Sequence, residues 1–393
     1  MQPRVLFLDH ASVLGGAELY LLDIVRHHRK TSRVVLFEQG PFYNRLRAER
    51  IDVQVLDAPS ILLDVQKKSS GWQHLRALPS MIRLAGCAAR IARRYDVVFA
   101  NSQKALAIGA LAGFIARRPV IWNLHDMLTA EHFSAFNRRL AVLLANGLVN
   151  RIIVNSQATK RAFAASGGHV KKTAVVYNGI DSGGFSPLSE RVTRGLREQV
   201  GLPEDAPVIG VFSRLAHWKG QHVLIKALKD IPEAHVLLVG AALFNGDASY
   251  AEGLRHQAQQ LGLADRVHFV GFRQDVSRWM QIVDVVVHSS IAPEPFGRVI
   301  VEGMLAERPV VAAQAGGALE IIEHGKTGLL VPPNRPKALA ETLNQLLAEP
   351  SLRHALARTG RQQARKRFSK ERMLAAITAH VQQMIAEKRN PSS

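Results

Sequence analysis

Glu294 and Glu302 are separated by seven residues, among them Pro295, Phe296, Gly297, Arg298 and Val299. Upstream, Asp284 to Ser289 is an apolar, β-branched run, and Val299, Ile300 and Met304 recur at helical spacing, so the stretch reads as strand, loop, helix. At roughly 1.5 Å per helical residue Glu302 lies about two turns into the helix, so both carboxylates can line one crevice at a sheet's carboxyl edge. Gly297 at the helix entrance leaves backbone N–H groups unpaired, and a helix N-terminus favours an anion such as a diphosphate. Ionised carboxylates are strong acceptors for sugar hydroxyls. The chemistry suggested is a phosphate cradle flanked by carboxylates, suited to a nucleotide carrying a hydroxyl-rich sugar. Alone, Glu294 could equally cap the helix and Glu302 face solvent.

Three more groups bear on that chemistry. The apolar run Val208 to Phe212 leads into Ser213-Arg214-Leu215-Ala216-His217-Trp218-Lys219-Gly220. Two cations five residues apart on such a loop can clamp a diphosphate from different directions, Arg214 with a bidentate fork and Lys219 as a point charge. His125 follows Val120-Ile121-Trp122 at the carboxyl end of an expected central strand, a position that faces the ligand crevice of a parallel sheet, although a lone histidine can also be a core or capping residue. Asp126 could orient His125 or cap the next segment. Gly15-Gly16 separates the strand Arg4 to His10 from a helix beginning at Ala17, which is either a nucleotide-binding turn or a tight turn only. The G-x-G-x-x-G fingerprint is absent, which disfavours a dehydrogenase. No D-x-D triplet occurs, so no metal is expected to bridge the diphosphate and no cofactor is called for.

The elements that must position these residues follow from apolar patterning. Strands are expected at Arg33 to Glu38, Val53 to Leu56, Asp96 to Asn101, Pro119 to His125, Arg151 to Asn155 and Thr173 to Tyr177, with helices at Pro79 to Arg94, Lys104 to Ala116, Ser134 to Asn146 and Gln157 to Ala165. Further strands are expected at His235 to Val239, Val267 to Gly271, Pro309 to Ala313 and Gly328 to Val331, and helices at Ser249 to Leu261, Ala318 to His324, Lys337 to Leu347, Leu352 to Arg367 and Lys370 to Glu387. Alternating strands and helices imply parallel sheets covered on both faces. Ser182 to Pro187, rich in glycine and proline, is the best linker, and Asn155-Ser156 reads as structural.

The stretch Glu294-Pro295-Phe296-Gly297, Glu302, Gly316-Gly317-Ala318-Leu319-Glu320-Ile321-Ile322 and Thr327 to Pro332 resembles the signature of the family 4 retaining glycosyltransferases. Gly303 departs from it where alanine is usual, a change worth under about 1 kcal/mol in a helix that points to close packing. The resemblance implies the GT-B architecture: two doubly wound α/β, Rossmann-like domains facing across a cleft, residues 1–182 for the acceptor, 183–369 for the nucleotide-sugar donor, and a last helix in 370–393 packing back on the first domain. It also implies transfer of a hexosyl group from a UDP- or GDP-linked sugar to a glycan or lipid-linked acceptor hydroxyl, with retention, in envelope polysaccharide or lipopolysaccharide synthesis. In that reading His125, Arg214, Lys219 and Glu294 are catalytic. Gly15, Gly16, Gly271, Phe272, Phe296, Gly297, Arg298 and Val299 bind the donor with them, and Glu302 holds the ribose. The Asn178-Gly179-Ile180-Asp181 motif and Phe185 resemble the family's interdomain hinge.

Composition sets outer bounds. The 393 residues, 47% hydrophobic and 21% charged, are ordinary for two globular domains. The single Cys87 permits no internal disulfide, fitting a reducing cytoplasm, and no apolar run reaches the ~20 residues that span a bilayer. The net charge of +19 is uneven: 25 Lys and Arg against 11 Asp and Glu in residues 1–180, a net +14, and 26 against 21 in the remainder, +5. Lys67-Lys68, Arg90, Arg93, Arg94, Arg117-Arg118 and Arg138-Arg139 are its local sources, and Pro79 to Arg94, just after Trp72, is basic and amphipathic. Such a helix can pack on a core with a solvated basic face or lie on anionic lipid at the inner face of the cell membrane. Zinc spacing, RNP-like strands and basic DNA-reading helices are absent, so nucleic acid is not an expected partner. The competing classes are another GT-B enzyme, such as a sugar-nucleotide epimerase or phosphorylase, and a non-catalytic polyanion-binding protein.

Overall fold

The computed structural model describes residues 3–10, 15–59, 71–242 and 247–389. The loop residues Ala11 to Leu14, the basic pair Lys67-Lys68 and, of the end Arg389 to Ser393 expected to fray, residues 390–393 lie outside them. The chain forms two compact units, residues 1–179 with 370–393 and residues 180–369. The chain therefore leaves the first unit once and returns to it with its last helix.

In the first unit seven strands run parallel: β1 (Val5–Asp9), β2 (Arg33–Leu36), β3 (Val53–Val55), β4 (Val97–Ala100), β5 (Val120–Leu124), β6 (Arg151–Val154) and β7 (Thr173–Val175). Their order is β3-β2-β1-β4-β5-β6-β7, with Phe7 aligned to Val34 on one side and Phe99 on the other. Both faces of the sheet are buried, which is why its strands read as unbroken apolar runs. Leu6, Leu8, Val98, Ala100 and Trp122 form one core with the helices Gly71–Ala92 and Gln103–Ala116. Val5, Phe7, Val97, Phe99 and Ile121 form the other with the helix Gly16–His27 and with Met373, Ile377, Val381 and Met384 of the terminal helix Lys370–Arg389. The direction of strand order reverses between β1 and β4, the switch point where open α/β sheets leave a crevice at their carboxyl ends.

The second unit repeats the plan with six strands: β8 (Val208–Phe212), β9 (His235–Val239), β10 (Val267–Gly271), β11 (Val285–His288), β12 (Val310–Ala313) and β13 (Leu329–Val331), ordered β10-β9-β8-β11-β12-β13. Here the switch point lies between β8 and β11, which pair through Val285 and Ile209. The Arg214–Lys219 loop follows β8 and the Glu294–Gly297 loop follows β11, so two loops distant in sequence leave neighbouring central strands. Gly303 packs as its departure from alanine suggests, since a Cβ there would lie 3.0 Å from Val310 and 3.1 Å from Val286.

Two expectations are corrected. The helix expected from Pro79 starts at Gly71 and runs through the proline, which is exposed. The expected linker Ser182 to Pro187 is packed: Ser182–Phe185 is a 3₁₀ turn capped by Asp181, whose Oδ1 accepts from Gly183 N at 2.9 Å, and Phe185 is buried. The division between units falls earlier, between Gly179 and Ile180, inside the Asn-Gly-Ile-Asp motif.

Local features of the two units carry separate predictions. Gly317 lies so close to the Glu294–Gly297 loop that an added Cβ would sit 2.4 Å from the Phe296 carbonyl oxygen. Gly317→Ala should therefore destabilise the second unit by about 1–3 kcal/mol, read as a lowered denaturation midpoint. In the first unit Glu18 Oε2 accepts from Gly15 N at 2.9 Å, closing the entry to the helix Gly16–His27. Burial, together with the nearby Asp9 carboxylate, pushes the Glu18 carboxyl up from 4.5 to about 7. The folded state thus binds the extra proton, so this contribution to stability is complete below pH 4.5, falls as pH rises through about 7, and is gone above it. Glu18→Gln, which keeps an acceptor for Gly15, should gain in melting temperature over the unsubstituted protein as pH is raised from about 5 to about 8; a pH-independent difference would contradict the assignment.

Candidate active site

The centre of the second unit's switch point is Glu294, only 7% exposed. Its Oε1 accepts from Lys219 Nζ at 2.8 Å and from His288 Nε2 at 2.8 Å, and it also accepts from the Ser290 hydroxyl. Burial alone would raise this carboxyl, but the Lys219 and His288 charges and hydrogen bonds outweigh it and hold the group well below the usual carboxylate range. Because it faces a carboxylate, His288 carries its ring proton on Nε2. Backbone bonds fix the same neighbourhood: Ser289 Oγ donates to Lys219 O at 3.0 Å, Ile291 N to Trp218 O at 2.9 Å, and Gly317 N to Glu294 O at 2.9 Å.

Both expected cations border one indole. Lys219 Nζ lies 4.3 Å and the Arg214 guanidinium carbon 5.8 Å from the Trp218 ring centroid, distances at which cation–π attraction acts. Arg214 Nε is 3.3 Å from Asp247 Oδ2. Gly297 is the N-cap of the helix Arg298–Leu305 with φ +101°, a left-handed conformation natural to glycine, and no side chain caps the helix. A Cβ on Gly297 would be 3.9 Å from His288 Nε2, which places the helix mouth beside the Lys219–His288–Glu294 cluster. Val299 lies in that first turn, and Arg298 Nη2 donates to Glu302 Oε1 at 3.3 Å, both side chains being 22% exposed. Glu294 therefore does not cap the helix, and Glu302 is an ion-paired, half-buried residue rather than a solvated one.

The Phe296 ring on the same loop is 2% exposed and meets Phe368 edge-on at 5.6 Å. Gly271 closes β10, its carbonyl accepting from Gly240 N at 2.9 Å, and Phe272 beyond it is 53% exposed. Those two sit at the far edge of the sheet order from β11, two strands removed from β8.

In the first unit, Gly15 and Gly16 open the first helix and His125 follows β5 as expected. Around His125 the structure adds residues that patterning missed: Asp9, Asn101 and Asn123, all nearly inaccessible to solvent. Asn101 Nδ2 donates to Asp9 Oδ2 at 2.7 Å, Asn123 Nδ2 donates to Asn101 Oδ1 at 2.9 Å, and Asn123 Nδ2 lies 2.6 Å from His125 Nε2. Tyr20 meets the His125 ring edge-on at 4.9 Å. A search for polar residues at the carboxyl ends of central apolar runs would have found Asp9, Asn101 and His288; Ser290 and Asn123 carry weaker signals. Ser156, read as structural, caps the helix Gln157–Ala165 by accepting from Thr159 N at 2.9 Å.

A family model described as glycosyl transferases group 1 matches residues 193–363, and one described as glycosyltransferase family 4 matches residues 14–183. The crystal structure of Anabaena Alr3699/HepE in complex with UDP and glucose is 41% identical, covers 97% of this chain and 100% of its own, and superposes with a TM-score of 0.88. A D-inositol 3-phosphate glycosyltransferase of Corynebacterium urealyticum is 36% identical over 50% of this chain, and the lipopolysaccharide core biosynthesis glycosyltransferase LpsE of Rhizobium meliloti is 33% identical over 50%. The chain spans about half the length of these two curated relatives, 48% and 55%. Two doubly wound parallel units are the GT-B plan. With a neighbour matched over its whole length and paired family models across both units, this chain belongs to the family 4, group 1 glycosyltransferases.

Proposed function

We propose that the protein transfers a hexosyl group from a nucleotide-diphosphate sugar to an acceptor hydroxyl with retained anomeric configuration, without a metal. The observation that carries this reading is the Glu294 cluster: a buried carboxylate holds Lys219 beside an uncapped helix N-terminus, with Arg214 on the same indole. As the bond from the anomeric carbon to the diphosphate oxygen breaks, negative charge grows on the departing diphosphate. Lys219, Arg214 and the N–H groups at Gly297 to Val299 are preorganised donors for that charge, the usual task of a bridging cation. Glu294 offers its carboxylate to donor-sugar hydroxyls, Glu302 to the ribose, and His125 holds the sugar near the transferred carbon. The Anabaena neighbour is solved with UDP and glucose, which makes UDP-glucose the first donor to try and GDP-sugars the second. The LpsE relative supports a glycan or lipid-linked acceptor in lipopolysaccharide or other envelope polysaccharide synthesis.

We also propose peripheral contact with an anionic membrane at the inner face of the cell membrane, a reading supported by the first unit. Among the described residues no helix is long and apolar enough to cross a membrane. The helices Gly71–Ala92, Gln103–Ala116 and Ala135–Leu148 nevertheless expose Ile82 at 57%, Phe114 at 70% and Leu143 at 70%, beside the exposed cations Arg83, Arg90 and Arg139. Apolar side chains set among cations suit an anionic lipid surface, where each cation contributes about 1 kcal/mol.

A donor screen with UDP-, GDP- and ADP-sugars, read by release of the nucleoside diphosphate and by the anomer of the product, tests the reaction; release unaffected by EDTA is expected, and an inverted anomer would refute retention. Lys219→Ala should lower kcat by about 10²-fold or more, the loss associated with one preorganised donor. Glu302→Ala should chiefly weaken nucleoside diphosphate binding in calorimetry, and unchanged affinity would remove its ribose role.

For the membrane surface, flotation with phosphatidylglycerol vesicles at low salt should carry the protein upward. The triple change Ile82→Ser, Phe114→Ser, Leu143→Ser should abolish this while leaving donor hydrolysis intact; no flotation of the unsubstituted protein would dispose of the role.

A further inference from the structure

Arg214 is gripped at both ends by residues outside the Glu294 cluster. Its backbone carbonyl accepts from Gln221 Nε2 at 2.9 Å, and the second proton of that amide goes to Ser213 Oγ, also at 2.9 Å. Because a carbonyl can only accept, the amide cannot be turned over, and Gln221 Oε1 accepts in turn from the Tyr250 hydroxyl at 3.1 Å. Gln221 is fully buried, so water does not compete for it, and burial pushes the Tyr250 hydroxyl up to about 12, so the phenol keeps its proton near neutral pH. At the other end, Arg214 Nε lies 3.3 Å from Asp247 Oδ2, with the two side chains 27% and 15% exposed. Asp247 stands at the N-cap of the helix Ala248–Gln260, yet its side chain makes no capping bond there. Tyr250 is on the first turn of that helix, and Gln257 farther along it donates to the His222 carbonyl at 2.9 Å. One helix thus sets both grips: its carboxylate aims the guanidinium, and its phenol, through Gln221, fixes the backbone from which that side chain leaves.

We propose that Asp247, Gln221 and Tyr250 are positioning residues for Arg214, holding its guanidinium 5.8 Å from the Trp218 ring centroid, on the indole that Lys219 also borders, before a donor diphosphate arrives. An arginine stem left loose would have to be ordered by each ligand, so loss of either grip weakens the stabilisation that Arg214 gives to the departing diphosphate. The inference rests on the transferase reading above and names the residues on which its arginine depends.

The test is a double-mutant cycle on the full chain, in kcat/KM for UDP-glucose, or for the GDP- or ADP-sugar that the donor screen selects, read by release of the nucleoside diphosphate. Tyr250→Phe removes one hydroxyl and Asp247→Asn one charge, and each should lower kcat/KM about tenfold through a misaimed guanidinium. In an Arg214→Ala background the same changes should cost less than about twofold, because the residue they serve has gone. Damage to the loop as a whole would also reach Lys219, and its penalty would persist without Arg214. Penalties that add in full therefore overturn the proposal, as does a gain in kcat/KM for Asp247→Asn, which would mean that the carboxylate only drains charge from the arginine. If Tyr250→Phe does not fold, the Asp247→Asn cycle decides alone. Absence of turnover by the unsubstituted protein with every sugar nucleotide would instead refute the transferase reading, and the same cycle is then read on UDP affinity by calorimetry: non-additive losses support the positioning, whereas additive losses or no UDP binding overturn it.

Discussion

A carboxylate almost cut off from water is affordable only with excellent partners, and Glu294 has them: an ammonium, an imidazole N–H and a hydroxyl converge on one oxygen. The effective penalty for burying an ion is several kcal/mol, so removing one partner leaves a charge that the interior cannot screen. Those partners come from different places in the chain. Lys219 is on the loop after β8, His288 is the last residue of β11, and Ser290 is on the loop that follows. One anion therefore fixes how two crossover connections approach each other at the switch point. The loop after β12 is tied in by Gly317 N, which donates to the Glu294 carbonyl.

This arrangement also decides what Lys219 can do. Its amine lies 4.3 Å from the Trp218 ring centroid and is bonded to Glu294 at 2.8 Å, so two directions are fixed by the protein. An ammonium has three donors, and a lysine stem left free would have to be ordered by each ligand that arrives. Held by the carboxylate and the indole, it would on the proposed reading meet an incoming phosphate already oriented. The same holds for the helix Arg298–Leu305, whose N-cap Gly297 leaves the first-turn N–H groups without a side-chain cap. On the proposed reading both features put their cost into folding rather than into the transfer step, which is the sense in which a site is preorganised.

Much of this plan was legible because parallel strands buried on both faces leave a plain mark in sequence. The runs at Val5–Asp9, Val208–Phe212 and Val285–His288 stand out, and the loops after them hold the charged residues. Boundaries drifted by a residue or two where flanking residues such as Asp284 and Ser289 lie outside the ladder. Pro79 misled because proline ordinarily punctuates a helix, yet an exposed face tolerates it. The loop position of Phe296 gave no hint of its partner, since Phe368, which meets its ring edge-on in the core, lies far along the chain. What remained hidden were partnerships made by strand adjacency: Asp9 with Asn101, and Glu294 with Lys219, joined across 92 and 75 residues. Sequence shows which residues end strands, but not which strand ends become neighbours.

The two units differ in how a strand-end histidine meets a buried carboxylate. His288 touches Glu294 directly, so its Nε2 donates. His125 Nε2 instead lies 2.6 Å from Asn123 Nδ2 and 3.1 Å from Asn101 Oδ1, and Asn101 Nδ2 in turn donates to Asp9 Oδ2 at 2.7 Å. One amide therefore stands between that ring and its fixed charge, and because Asp9, Asn101 and Asn123 are all buried, no water competes for these bonds.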